Sequence, residues 1–227
     1  MSGPGVRRFE SREALDAALA GRIATALAQP GAGAIMLSGG STPLAAYRRL
    51  AAGPLPHAAT LRVLYSDDRH VAPDSPQSNY HQSRALIDAL RLPESGVLRI
   101  PTEQPLEQAA LAYDASLRGL LREGVPLRFG VLGLGADGHT ASLFTTADLE
   151  RSAGRMAVTV QRPDGLGGIS VTPGFLAQFD QIVFAVAGPG KRVALGRLLA
   201  GDAALVAWRA VSGCRSVQVW CEPAAEA

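Results

Sequence analysis

Phe129–Phe144 reads FGVLGLGADGHTASLF, and its reading decides the fold. Phe129-Gly130-Val131-Leu132 is an apolar run of the kind that fills a strand buried on both faces of a parallel sheet. Gly133, Gly135 and Gly138 follow, with Asp137 and His139 among them. Glycines after a strand let the backbone take positive φ and approach a ligand closely. A histidine in that setting stands at the mouth of the sheet, where open α/β folds place their sites. Thr140–Phe144 reads as the opening of a helix.

Three further apolar runs end in the same way. Ala34–Leu37 runs into Ser38-Gly39-Gly40-Ser41-Thr42-Pro43, and a helix is expected from Leu44 to Ala52 with Thr42 as its N-cap. Leu61–Tyr65 delivers Ser66-Asp67-Asp68-Arg69 as a loop. Gln181–Val186 delivers Gly188-Pro189-Gly190-Lys191 and then a helix to about Leu199. In a parallel sheet all four loops lie on the carboxyl edge. Together they bring hydroxyls, the carboxylates of Asp67, Asp68 and Asp137, an arginine, a lysine and a histidine to one place. That set suits a small anionic polar molecule. The 38–43 loop has the makings of a phosphate cradle: the backbone N–H groups of Gly39 and Gly40, the hydroxyls of Ser41 and Thr42, and a helix N-terminus. An ordinary turn needs one glycine, not two followed by Ser-Thr-Pro. It is not a Walker loop, since no Gly-Lys-Ser/Thr closes it.

The remaining chain supplies the scaffold. Ser11 is expected to cap a helix through Gln29, and Ser78 one from Asn79 to Leu90 that carries Arg84. Val97–Ile100 reads as a strand, and Thr102 as the cap of a long amphipathic helix with Leu106, Ala110, Tyr113, Leu117 and Leu120 on its buried stripe. Met156–Val160, Ile169–Thr172 and Ser216–Cys221 read as strands, and Glu222–Ala227 as a tail. No repeat or linker divides the chain, so one α/β domain over residues 1–227 is expected, its mostly parallel sheet flanked by helices.

Composition excludes several classes. Net charge is +2 with no basic block, which argues against nucleic acid. No apolar run approaches the ~18–20 residues of a membrane span. The opening Met1-Ser2-Gly3-Pro4-Gly5 lacks the apolar core of a signal peptide. Cys214 and Cys221 are the only cysteines and pair with no histidine at zinc spacing, so reduced thiols in the cytoplasm are expected. Of 22 Lys and Arg residues, Lys191 alone is lysine. In a chain that uses arginine everywhere else, a lone lysine points to a place that requires a compact ammonium.

Gly133-x-Gly135-x-x-Gly138 also matches the dinucleotide fingerprint. It lies mid-chain, it carries a carboxylate and an imidazole where the pyrophosphate turn takes small neutral residues, and Asp148 and Glu150 come too early for the ribose-binding acid. A nicotinamide enzyme is therefore rejected.

The motifs LSGGSTP at 37–43, DDR at 67–69 with Ser78-Asn79 and Arg84 following, GLGADGHTASLF at 133–144 and GPGK at 188–191 resemble, in that order, those of the 6-phosphogluconolactonases. That resemblance covers most of the chain. It implies a Rossmann-like α/β fold, a sugar-phosphate substrate, and neither metal nor nucleotide cofactor. It implies His139 as general base, and Ser41 and Thr42 with Lys191 as the phosphate site. Asp67, Arg69 and Arg84 become polar site residues. The chain departs from the pattern at three places. Asp68 stands where the family often has Glu, and Thr145-Thr146 where it often has Pro-Gly. Gly168 stands where an arginine usually precedes the strand, so that Arg162 or Arg84 would have to substitute for it.

A δ-lactone is an activated ester and needs no covalent nucleophile. It needs a positioned water, a base titrating near neutrality and stabilisation of the oxyanion. His139 suits the base, Asp137 two residues earlier suits a ring-holding carboxylate, and backbone N–H groups of the glycine loop are expected as oxyanion donors. Two rivals remain at this level: a glucosamine-6-phosphate deaminase-like isomerase and a non-catalytic sugar-phosphate-binding module. Deaminases of this superfamily resemble one another in an Asp-Glu-Tyr loop and an Asn-Glu-Pro segment. Here Arg69 and HTASLF stand in those places. A sensor usually carries a helix-turn-helix, for which there is no room ahead of Ser11.

Overall fold

The apolar runs form strands whose successive side chains feed two separate cores. A computed structural model describes residues 3–226. Met1, Ser2 and Ala227, at the ends of the opening stretch and of the tail, lie outside the described residues. In order, the strands are β1 (Gly5–Arg8), β2 (Gly33–Leu37), β3 (Leu61–Tyr65), β4 (Asp67–Arg69), β5 (Val97–Leu98), β6 (Leu127–Leu132), β7 (Ala157–Gln161), β8 (Gly167–Val171), β9 (Ile182–Val186) and β10 (Val217–Cys221). Ile35, Leu37, Val63, Tyr65, Phe129, Val131 and Val183 point into a core shared with helices Arg12–Leu27, Ser41–Ala51 and Arg84–Leu90. Their neighbours Ala34, Met36, Leu64, Leu132, Ile182 and Phe184 point into the other core, with helices Leu106–Arg122 and Arg192–Leu199. This is period-2 alternation on a sheet covered on both faces.

The main sheet runs β1-β10-β9-β6-β2-β3-β5, every pair parallel. From β2 the chain winds outward to β3 and β5; from β6 it winds the opposite way to β9 and β10. The boundary between β2 and β6 is thus a topological switch point, and its carboxyl end is where such sheets open a crevice. The four strands that deliver the motif loops, β9-β6-β2-β3, are adjacent and central.

Several local expectations are corrected. The DDR segment is not a loop. After Ser66 the chain passes directly from β3 into β4, the edge of a second, antiparallel sheet β4-β8-β7 in which Arg69 faces Gly168. Thr140–Phe144 opens no helix: a Thr140–Leu143 bridge closes a tight turn, Ala141 sits at φ 49°, and the helix waits until Thr146–Arg151, capped by Thr145. Thr42 is not a cap but a buried residue inside helix Ser41–Ala51, whose N-cap is Gly40 at φ 102°. Thr102 caps nothing, because the long helix begins at Leu106 behind Pro105. The helix after Ser78 is split at Ser83 into Asn79–Gln82 and Arg84–Leu90. The tail contains a short helix, Pro223–Glu226, and β1 is an unforeseen edge strand beside β10. Ser11 does cap Arg12–Leu27, its hydroxyl accepting from Ala14 N–H at 3.1 Å.

Candidate active site

The four motif segments line an open cavity of about 180 Å³ at the carboxyl edge of the sheet. Ser38, Gly39 and Gly40 come from the β2 loop, Asp67 and Arg69 from β4, and Asn79 from the helix that follows. Gly133, Leu134, Gly135, His139 and Ala141 come from the β6 loop, Lys191 from the turn after β9, and Arg162 from the β7–β8 hairpin.

His139 and Asp137 form one unit. The ring Nδ1 lies 2.6 Å from Asp137 Oδ1, which also accepts the His139 backbone N–H at 3.2 Å. Burial works to raise the Asp137 carboxyl, but these hydrogen bonds together outweigh it and hold the group below the usual carboxylate range. An ionised Asp137 accepts the Nδ1 proton and leaves Nε2 as the lone-pair nitrogen. The Phe144 ring packs on the imidazole with centroids 4.4 Å apart. A Cβ at Gly135 would overlap both His139 Nδ1 and Asp137 Oδ1, so only glycine fits there. The N–H groups of Gly135 and Gly138 are used within the loop, on the carbonyls of His139 and Gly135, and are not free to serve as oxyanion donors.

The acidic wall is tied down from behind. Asp67 is buried, and accepts hydroxyl protons from Ser66 (2.6 Å) and Ser142 (2.6 Å). Burial pushes the Asp68 carboxyl up to about 6, against the opposing hydrogen bonds of the Asn79 N–H, the Ser78 hydroxyl and the Tyr80 N–H. Asp68 thus anchors the start of helix Asn79–Gln82. That places Asn79, whose side-chain amide donates to the Asp67 carbonyl at 2.8 Å and accepts from Arg69 at 3.2 Å. A Cβ at Gly39 would overlap the Asn79 amide. The first glycine of the motif therefore makes room for a side chain and the second turns the chain.

Lys191 ends a short 3-10 turn, Pro189–Lys191, and begins helix Arg192–Leu199. The turn is pinned by the nearly buried Glu222, whose carboxylate accepts the Gly188 N–H at 2.8 Å. Among the described residues Lys191 makes no ion pair.

Of the residues singled out in the sequence, Gly39, Gly40, Asp67, Arg69, His139 and Lys191 line the cavity. Asp137 stands behind His139. Ser41 is exposed and Thr42 buried, neither on the cavity wall. Arg84 lies outside: it is exposed, pairs with Asp88 at 3.1 Å, and stacks on Tyr80. Of the two arginines named as substitutes for the one missing at Gly168, Arg162 lines the cavity and Arg84 does not. Ser38 and Asn79 also line it, though the sequence marked them only as parts of the 38–43 loop and of the Ser78-Asn79 pair. Burial pushes both thiols up, Cys214 to about 12 and Cys221 to about 11, so neither is a nucleophile at neutral pH. Among the described residues no group of three or more His, Cys, Asp or Glu side chains is placed to hold a metal ion.

The family model described as glucosamine-6-phosphate isomerases/6-phosphogluconolactonase matches residues 8–220. A 6-phosphogluconolactonase of Synechocystis is 36% identical over 188 residues, covering 80% of this chain and 78% of that protein. One of Rhizobium meliloti is 33% identical and covers 89% and 91%. The crystal structure of a 6-phosphogluconolactonase from Shewanella baltica superposes with a TM-score of 0.82 at 25% identity, covering 96% of this chain and 97% of that one. On the match of the family model and of these relatives, the chain belongs to the glucosamine-6-phosphate isomerase/6-phosphogluconolactonase family.

Proposed function

We propose that this protein is a 6-phosphogluconolactonase, hydrolysing 6-phospho-D-glucono-1,5-lactone to 6-phosphogluconate in the pentose phosphate pathway. The observation that carries the reading is the Asp137–His139 pair at the wall of a cavity that Lys191 also lines. His139 Nε2 takes a proton from water as the oxygen attacks C1. Asp137 stabilises the imidazolium that forms, and the imidazolium returns the proton to the departing ring oxygen. No covalent intermediate is needed. Lys191 and the N–H groups of Gly39 and Gly40, at the N-terminus of helix Ser41–Ala51, hold the phosphate. Binding that end of the substrate orients C1 against the base.

The substrate is a small sugar phosphate and the chemistry needs no cofactor. No helix among the described residues is long and apolar enough to cross a membrane. A cytoplasmic location fits the two free thiols, and we take residues 1–227 as one domain. The family also holds deaminases, so product analysis is decisive. Freshly generated 6-phosphogluconolactone should give rapid acid release, and glucosamine 6-phosphate should give no ammonia. The opposite pattern, or binding of either without turnover, rejects the proposal.

A further inference from the structure

We infer that Arg162 is a second phosphate-binding cation of this site, supplied by the β7–β8 hairpin and admitted by Gly168. The inference rests on the sugar-phosphate reading above and adds a residue to it. Arg162 is nine-tenths buried and lines the cavity. Its guanidinium is locked on three sides. Nη1 donates to Ser142 Oγ at 2.8 Å, Nε and Nη2 donate to Asp164 at 3.2 and 3.1 Å, and the Phe144 ring lies 5.3 Å beneath. The Ser142 hydroxyl donates its own hydrogen bond to Asp67 at 2.6 Å, so it meets Arg162 as an acceptor. Three of the five guanidinium N–H groups are thus used, and two remain to form a fork.

Room for this arrangement comes from the facing strand. A Cβ at position 168 would stand 3.1 Å from Arg162 Cδ, 3.3 Å from Arg162 Cγ and 3.2 Å from Val160 Cγ2. Those approaches are tighter than ordinary packing, so a side chain at 168 and the inward course of Arg162 compete for one space. Charge decides what the fork is for. A phosphate monoester carries about −1.5 to −2 at neutral pH. Lys191 balances one unit, and Arg69, the other cation on the cavity wall, has its Nη1 committed to the Gln77 carbonyl and the Asn79 amide oxygen. A rigid planar fork matches two phosphate oxygens. A lactone oxyanion carries one transient charge and needs no second permanent cation.

The test compares kcat/KM for 6-phosphogluconolactone with kcat/KM for unphosphorylated glucono-δ-lactone. Arg162→Ala should lower that ratio by about 10- to 150-fold, the range of a charge-assisted hydrogen bond. Arg162→Lys should recover part of it, since charge returns without the fork. Gly168→Ala should lower it by roughly 3- to 10-fold alone and by nothing further on an Arg162→Ala background, because both changes act on one side chain. Affinity for inorganic phosphate, measured by calorimetry on the folded variants, should fall in parallel. An unchanged ratio, equal losses on both lactones, or additive effects of the two substitutions overturns the inference. If the wild type fails to hydrolyse the phosphorylated lactone, the functional reading falls instead, and the calorimetric comparison of wild type with Arg162→Ala decides the role of Arg162.

Discussion

At the scale of single residues, the site is built from side chains whose partners are fixed. His139 has its tautomer set by Asp137, and Lys191 lines the cavity with no ion pair among the described residues. These two were legible in the sequence because each stood out: one histidine framed by glycines, one lysine among arginines. Arg84 and Thr42 stood in equally suggestive motifs, yet Arg84 turns outward to Asp88 and Thr42 packs inside its helix. A linear motif does not say which face of a helix a residue occupies. Lys191 carries a sharp expectation. Lys191→Ala should raise KM for the phosphorylated lactone by about 10- to 150-fold, and lower selectivity over the free lactone to match. Lys191→Arg should give a partial loss, because a longer fork replaces a compact ammonium. Equal losses on both lactones would place the lysine in the fold or the chemistry.

At the scale of elements, loops matter more than the strands that carry them. Gly135 is the position where backbone shape and chemistry meet, since any Cβ there displaces the Asp137–His139 pair. Gly135→Ala should lower kcat by about 10²-fold or more, approaching the loss of the base itself, with much less effect on KM. A KM effect alone would contradict this. The Asp68 anchor of helix Asn79–Gln82 gives a pH test. Its carboxyl is pushed up to about 6 on folding, so the native state takes up a proton that the unfolded chain binds only near pH ~4. The stability this protonation contributes is complete below about pH 4 and is lost as pH rises through 6. Relative to Asp68→Asn, the wild type should gain stability as pH falls from 7 to 5, and the Asp68 carboxyl should titrate near 6 by NMR. A midpoint below 4 would contradict it. The helix starts at Ser11 and Ser78 were legible from their caps. Those assigned to Thr102 and Thr140 were not, because Pro105 moves one start downstream and the Thr140–Leu143 turn serves the site instead.

At the scale of the whole molecule, the parallel sheet follows from the buried apolar runs, and the carboxyl-edge site follows from the sheet. The second sheet was hidden, because Asp67-Asp68-Arg69 has the composition of a turn and becomes a strand only by pairing with β8. That pairing brings Gly168, and with it Arg162, over the cavity. Among the described residues the same architecture gathers no group of three or more His, Cys, Asp or Glu side chains able to hold a metal ion, so EDTA should leave activity unchanged. A chelator-sensitive enzyme rescued by one divalent ion would overturn the metal-free mechanism. The central claim, that His139 is the base of a lactonase, is tested most directly by acid release from freshly generated 6-phosphogluconolactone, comparing wild type with His139→Ala. The account predicts catalysed hydrolysis in the wild type and a loss of about 10²–10⁴-fold in kcat in the variant, with phosphate affinity retained. Activity within a few-fold of wild type in His139→Ala would contradict it.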